Sequence, residues 1–256
     1  MTQATELPAH GDRYRWTTIA HAQRTLLGPI AAEVIASLMG SIERSPLAVL
    51  DVGCGRGAML VGAMVRFGAS GVAVEPNPHF AAAARALAEA GGVADALIIH
   101  NAEYAPSLLV RERFGLAMCM GATGAFGGYS GALSGLHKIV EPSGYAMIGE
   151  GCWRREPATE YLAVLGASRE DMAQEPETRA AAEAAGWRVV RSHLSTVAEW
   201  DGYEDAYAGS MAEWLSENSR DPDAAGFRER LERWRNAYLD HGRDTLGFAT
   251  YLLERR

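Results

Sequence analysis

Between Leu47 and Asn77 the chain reads L-A-V-L-D-V-G-C-G-R-G-A-M-L, then a helical run, then G-V-A-V-E-P-N. A short apolar run (Leu47, Val49, Leu50) reaches Asp51 and breaks at once into Gly53, Gly55 and Gly57. An apolar run bounded by glycines predicts a buried strand feeding a tight turn. Glycines at alternate positions let the backbone take positive φ and approach a ligand closely. A helix is expected from Ala58, carrying Met59, Leu60, Met64 and Val65, and a second strand over Val72 to Val74 closes on Glu75. A strand–turn–helix–strand with an acid at the end of each strand suits an adenosine-containing cofactor.

Two cofactor classes use such a layout, and the spacing separates them. The dinucleotide fingerprint is G-x-G-x-x-G, with pyrophosphate on the helix N-terminus. Here the glycines run G-x-G-x-G, and Asp51 stands two residues before the first of them. A carboxylate there repels pyrophosphate and suits a cofactor that carries an ammonium, as S-adenosylmethionine does. Glu75, about 20 residues beyond the loop, sits where an acid binds ribose hydroxyls. In D-V-G-C-G-R-G and in V-E-P-N the sequence resembles the class I S-adenosylmethionine-dependent methyltransferases. The resemblance covers Leu47 to about Gly149.

The resemblance implies an α/β fold: a Rossmann-like, seven-stranded, mostly parallel sheet with an antiparallel last strand, helices on both faces and helical lid elements. The cofactor set it implies is Asp51, Gly53, Cys54, Gly55, Glu75 and Pro76, with Met120 at the end of the fourth strand. In the family the loop after the third strand flanks the adenine; here that loop is Asn101-Ala102-Glu103, and either Asn101 or Glu103 matches the contact to the exocyclic amine. The Asn/Asp-Pro-Pro-aromatic motif of amine- and nucleobase-modifying members is absent after the fourth strand, Phe114 to Met120. G-A-T-G-A-F-G-G-Y stands there instead, with Thr123 offering a hydroxyl and Phe126 a ring.

Periodicity divides the remainder. Residues 1 to 12 are polar without a period and are expected to fray. Two short helices follow up to about Leu38, broken at Gly28-Pro29, with Pro29 suited to the first turn of the second. Further strands are expected at Leu97 to His100, Tyr145 to Gly149, Trp187 to Leu194 and 246 to 253. Helices are expected over His79 to Gly91, Ala132 to Val140, Glu160 to Leu165 and Thr178 to Ala185. About 50 residues separate the last two strands and hold two more helices, one from E-W-D-G-Y-E-D-A-Y through Leu215 and one from Pro222 to Arg243. The expected units are a helical cap (1–45), a cofactor-binding core (46–198), a helical lid (199–243) and a closing strand (244–256).

Methyl transfer from a sulfonium needs alignment more than acid–base help, because the methyl is already activated; alignment contributes on the order of 7–11 kcal/mol. A base is required only when the acceptor must lose a proton. Candidate catalytic groups are His137, Glu150, Glu204 and Tyr203; for His137, a lone helical histidine, packing is the stronger reading, and for Glu150 a salt bridge to Arg154 or Arg155 is an equal competitor. Candidate acceptor contacts are Tyr14, Trp16 and His21 from the first helices, then Thr123, Trp153, Trp200, Tyr207 and Arg243. Trp200, Tyr203, Glu204 and Tyr207 share one helical face. An acid among rings suits a cationic or polar ligand, although such a stripe also serves as core.

Composition bounds the partners. A net charge of −8 and one lysine, Lys138, argue against a nucleic-acid substrate, which clustered Lys and Arg would bind. No segment reaches the roughly 18 apolar residues of a membrane span, and the N-terminus lacks the basic-then-apolar order of a signal peptide. Cys54, Cys119 and Cys152 are too widely spaced for a zinc site or a disulfide framework. The expectation is a cytoplasmic monomer or homodimer that methylates a small molecule and uses no metal. A non-catalytic cofactor-binding sensor and a nicotinamide oxidoreductase are the rivals.

Overall fold

The structure is a computed structural model describing residues 9–109 and 113–256. Most of the polar leader, residues 1–8, lies outside the described residues. Two short helices come first, α1 (Arg15–Ala20) and α2 (Ala32–Met39). Then β1 (Ala48–Val52), α3 (Ala58–Phe67), β2 (Ser70–Val74), α4 (Pro78–Ala90) and β3 (Leu97–His100) form one half of a sheet. The other half is β4 (Phe114–Met120), α5 (Tyr129–Ile139), β5 (Val140–Trp153), α6 (Thr159–Leu165), α7 (Glu175–Ala184) and β6 (Trp187–Leu194). Two helices, α8 (Val197–Glu217) and α9 (Ala224–Ala237), precede β7 (Leu246–Arg255).

The strand order is β3-β2-β1-β4-β5-β7-β6. The β1–β2, β2–β3, β1–β4 and β4–β5 pairs are parallel, and β7 runs antiparallel to both β5 and β6. The seven-stranded, mostly parallel sheet expected from the sequence is thus present, with β7 inserted between its two neighbours. The chain turns from β3 back across β1 to β4, so the strand order reverses beside β1, where sheets of this kind open a crevice at their carboxyl ends.

Alternation along the strands fills two cores. Val49, Leu116, Met118, Met147 and Leu252 face α2 and α3, while Leu50, Ala117, Cys119, Ile148 and Tyr251 face α5 and α7. Both strand faces are buried, which is why β4 reads as an unbroken apolar run. Gly57 has φ +81°, and a Cβ there would lie 2.7 Å from the Cβ of Ala84, so its small size brings the start of α3 against α4. Asn77 caps α4 by accepting the His79 N–H at 3.0 Å, and Pro78 occupies the first turn.

Among the boundaries that differ from expectation are β5, which begins at Val140 instead of Tyr145, and two that bear on the crevice. Pro29 is not in the first turn of α2, which starts at Ala32; Ala31 is extended (φ −78°, ψ 147°) and its N–H donates to Glu199 at 3.0 Å. β5 continues past Gly149 to Trp153, because β7 pairs with it from Tyr145 to Trp153. Above the sheet, Trp16, Ile19 and Ala20 of α1 pack with Met211, Trp214 and Leu215 of α8. Arg15 is buried and ion-pairs with Asp221 and Asp223, tying α1 to the start of α9.

Candidate active site

The crevice is organised by Glu75. Its Oε2 accepts the Gly55 N–H at 2.9 Å and its Oε1 accepts the Asn77 N–H at 2.9 Å. The Asn77 amide donates to Thr18 Oγ1 at 2.9 Å, which links the strand end to α1. Gly53 donates its N–H to Val74 O at 2.8 Å and has φ +74°. A Cβ on Gly53 would collide with that of Ala122, so the loops after β1 and β4 meet backbone to side chain.

Asp51 is 2% exposed, and its Oδ1 has no hydrogen-bond partner. Burial, and then the charge of Glu75, push its pKa up to about 7. Burial also raises Glu75, against the lowering effect of the two N–H donors. Two acids held this way, one with an orphaned oxygen, make a strong attractor for a cation. Burial, followed by the charges of Arg24 and Arg56, lowers His21 from its ordinary value and keeps it neutral at pH 7. Its Nδ1 lies 2.8 Å from Thr17 O, which only accepts, so Nδ1 carries the proton and Nε2 accepts from the Tyr203 hydroxyl at 3.0 Å. That contact joins α1 to α8 across the crevice.

Two adjoining cavities result. One, of about 550 Å³, holds Glu75, Pro76, Asn77, Phe80, Glu103, Tyr104, Tyr14 and His21. The other, of about 320 Å³, holds Asp51, Cys54, Met59, Glu150, Trp200 and Phe248. Leu27, Gly53, Gly55, Met120, Gly121 and Tyr203 line both and form the passage between them. Among the described residues no three of His, Cys, Asp and Glu gather as metal ligands.

A family model described as a methyltransferase domain matches residues 21–196. The uncharacterised protein YjhP of Escherichia coli is 32% identical over 240 residues, 92% of this chain and 96% of that protein. A S-adenosylmethionine-dependent methyltransferase from Geobacter sulfurreducens, solved with S-adenosyl-L-homocysteine, superimposes with a TM-score of 0.87 at 31% identity, covering 94% of this chain and 98% of the other. One from Thiobacillus denitrificans, with the same ligand, gives 0.85 at 29% identity, covering 94% and 98%. The chain belongs to the class I S-adenosylmethionine-dependent methyltransferases.

The methyltransferase brings most of the sequence-selected residues to this crevice. Asp51, Gly53, Cys54, Gly55, Glu75, Pro76, Glu103 and Met120 line it, as do Tyr14, His21, Glu150, Trp200 and Tyr203. Thr123 is buried beside it and donates its hydroxyl to Glu150. Asn101 stands one layer back, its amide donating to Glu75 O at 2.8 Å and Pro76 O at 3.2 Å, so it braces the strand end. Ala102 is fixed by its N–H to His100 O at 3.0 Å and is absent from the cavity walls. Glu150 does not pair with Arg154 or Arg155; besides Thr123 it accepts its neighbour Gly151 N–H at 3.1 Å.

Several expectations are corrected by placement. His137 lies at the C-terminal end of α5, edge-on to Trp187 at 5.2 Å and next to Gly186, at the opposite edge of the sheet from the crevice. The helix returns the chain to the strands' starting edge, so its last turn is remote from the ligand side. Glu204 turns away from the cavities, accepting the Trp234 indole N–H at 3.0 Å between α8 and α9. Trp16 donates its N–H to the Tyr207 hydroxyl and packs with Phe227, and Tyr207 stands behind His21 with its ring edge-on. Trp153 donates to Arg169 O at 2.9 Å within the cluster under α6, and Arg243 pairs with Asp201 at 2.9 Å on the surface.

The reading from sequence missed Leu27, Phe80, Tyr104 and Phe248, all on the cavity walls. Leu27 precedes the Gly28-Pro29 break, a signal for a loop at the ligand edge. Phe248 sits in a strand expected only as the alternating, β-rich closing strand of the core, and nothing in its alternation marks it as different.

Proposed function

We propose that this methyltransferase transfers the methyl group to a small organic molecule bound at the Glu150–Trp200–Phe248 end of the smaller cavity, with the cofactor's adenosine on the Glu75 side and its amino-acid end reaching Asp51. The observation that carries this reading is the pair of adjoining cavities sharing the glycine loop. The residues fit the cofactor: an orphaned Asp51 oxygen suits the ammonium, Glu75 suits the ribose hydroxyls, and Phe80, Glu103 and Tyr104 flank the base. When bound, S-adenosylmethionine supplies a methyl carbon activated by its sulfonium, open to in-line displacement by an acceptor lone pair. Gly53 and Gly55 hold the cofactor side of that line, and Met120, Gly121 and Tyr203 frame the passage to the acceptor side.

The smaller cavity, of about 320 Å³, is near the lower end for small-molecule sites and also admits the cofactor's amino-acid end at Asp51, which leaves room for a small metabolite. The cap and the helices between β6 and β7 act as the lid, with His21 and Tyr203 as its contact. No helix among the described residues is long and apolar enough to cross a membrane. The test uses methyl-labelled S-adenosylmethionine and a cell extract split into small-molecule and macromolecular fractions. Label must enter the small-molecule fraction. Label confined to protein or nucleic acid overturns the proposal, and cofactor binding without any label transfer favours a sensor.

A further inference from the structure

The charges lining the two cavities are all of one sign. Asp51 and Glu150 line the smaller cavity, Glu75 and Glu103 the larger, and among the described residues no lysine or arginine lines either. The guanidinium groups beside them are already engaged: Arg13 pairs with Glu103 at 2.9 Å, and Arg24 lies 5.4 Å from the centre of the Tyr203 ring, covering one of its faces. Arg24 donates to Leu26 O at 3.0 Å, Gly202 O at 2.9 Å and Gly28 O at 3.3 Å, and Arg56 donates to His21 O and Ala22 O at 3.4 and 3.3 Å. His21 is neutral. A carboxylate or phosphate acceptor would therefore enter a smaller cavity whose charged lining, among the described residues, is Asp51 and Glu150 alone.

The acceptor side carries the complementary features for a cation. Trp200 and Tyr203 present rings 6.0 Å apart at 86° to each other, forming an aromatic corner, and Phe248 adds a third ring. Rings in this arrangement attract a desolvated ammonium through their faces. Opposite the glycine loop stands Glu150, its carboxylate fixed by the Thr123 hydroxyl and the Gly151 N–H. Asp51 is taken up by the cofactor's own ammonium in the reading above, which leaves Glu150 as the acid available to the acceptor.

We infer that the acceptor is an organic amine, bound as its ammonium by Glu150 and the Trp200–Tyr203 corner; this rests on the cofactor and acceptor sides assigned under Proposed function. Transfer to nitrogen requires the ammonium to lose one proton, which the Glu150 carboxylate accepts. The freed lone pair forms the nitrogen–carbon bond as the carbon–sulfur bond breaks, its electron pair staying on sulfur. The proton on Glu150 then leaves to water.

The test is calorimetry on protein saturated with S-adenosylhomocysteine. Probes come as matched sets on several aliphatic and aromatic bodies, each an amine, the corresponding alcohol and the corresponding carboxylate, for instance 2-phenylethylamine, 2-phenylethanol and 3-phenylpropionate. The amines must bind at least tenfold more tightly than their alcohols, and carboxylates must not bind. Glu150→Gln must abolish the amine preference while S-adenosylhomocysteine affinity is kept, which also shows that the variant is folded. Trp200→Leu must weaken amines tenfold on the same criterion. Alcohols or acids binding as well as amines, amines indifferent to Glu150→Gln, or no amine binding at all overturns the inference. Failure of S-adenosylhomocysteine itself to bind overturns the underlying site assignment instead.

Discussion

Glu75 at the end of β2 accepts the Gly55 N–H at 2.9 Å, so an acid on one strand fixes the glycine loop that leaves the neighbouring strand. The same carboxylate faces the larger cavity. It therefore shapes the loop and offers its remaining lone pairs to a ligand. Replacing Glu75 by Ala should weaken S-adenosylhomocysteine binding by about 1–3 kcal/mol, the scale of lost charge-assisted hydrogen bonds. Glu75→Gln should recover only part, since an amide offers one accepting oxygen where two N–H groups need one each. Unchanged affinity in calorimetry would place the ribose elsewhere.

Asp51 gives a pH dependence of definite sign. Its folded pKa of about 7 lies above the ordinary 3.8, so the folded protein keeps a proton that the unfolded chain has released. The stability from this group is complete below about pH 4 and is lost as the pH rises through 7. In the ligand-free protein Asp51→Asn should raise Tm by several degrees at pH 8 and by less at pH 5. A cation bound at Asp51 reverses the preference, because it favours the ionised form. S-adenosylhomocysteine should bind more tightly at pH 8 than at pH 6, with proton release seen by titration in two buffers of different ionisation enthalpy. Asp51→Asn should remove that dependence and weaken binding.

Glu204 offers a contrast. Burial pushes it up to about 7, and its partner is the Trp234 indole rather than the cavity. Glu204→Gln keeps an acceptor for Trp234 and removes a buried charge, so Tm at pH 8 should stay level or rise. Glu204→Ala orphans the indole N–H and should cost about 1–3 kcal/mol in denaturant unfolding. Both variants should hold S-adenosylhomocysteine within about twofold of the parent. A tenfold loss would return Glu204 to the site.

His137 should prove structural. Its ring is edge-on to Trp187 at 5.2 Å, remote from both cavities. His137→Ala should lower stability by about 1 kcal/mol, the scale of an edge-to-face pair. Cofactor affinity and the pH profile of transfer should not move.

What was legible from sequence divides along physical lines. The glycine loop, Asp51 and Glu75 announce themselves because positive φ and close approach restrict which residues fit, and β4 and β6 match expectation at both ends. β5 was read four residues short at its carboxyl end because its continuation is decided by pairing with β7, about a hundred positions away. The stripe of Trp200, Tyr203, Glu204 and Tyr207 was correctly placed on a helix. Helical spacing cannot say what each position meets: Trp200 and Tyr203 reach the cavity, Glu204 meets α9, and Tyr207 meets Trp16. Residues held by local backbone geometry were readable, while those defined by a distant partner were not.

β7 lies between β5 and β6 yet follows α8 and α9 in the chain. During synthesis a ribosome therefore releases both of these helices before the strand that joins β5 to β6. Until β7 arrives, two strand edges in the interior of the sheet stay open, a state prone to mispairing. α8, which brings Trp200 and Tyr203 to the cavity walls, and α9 packed against it are thus folded into the assembly of the sheet itself. Mutations that diversify them act on how the newborn chain matures as well as on what it methylates.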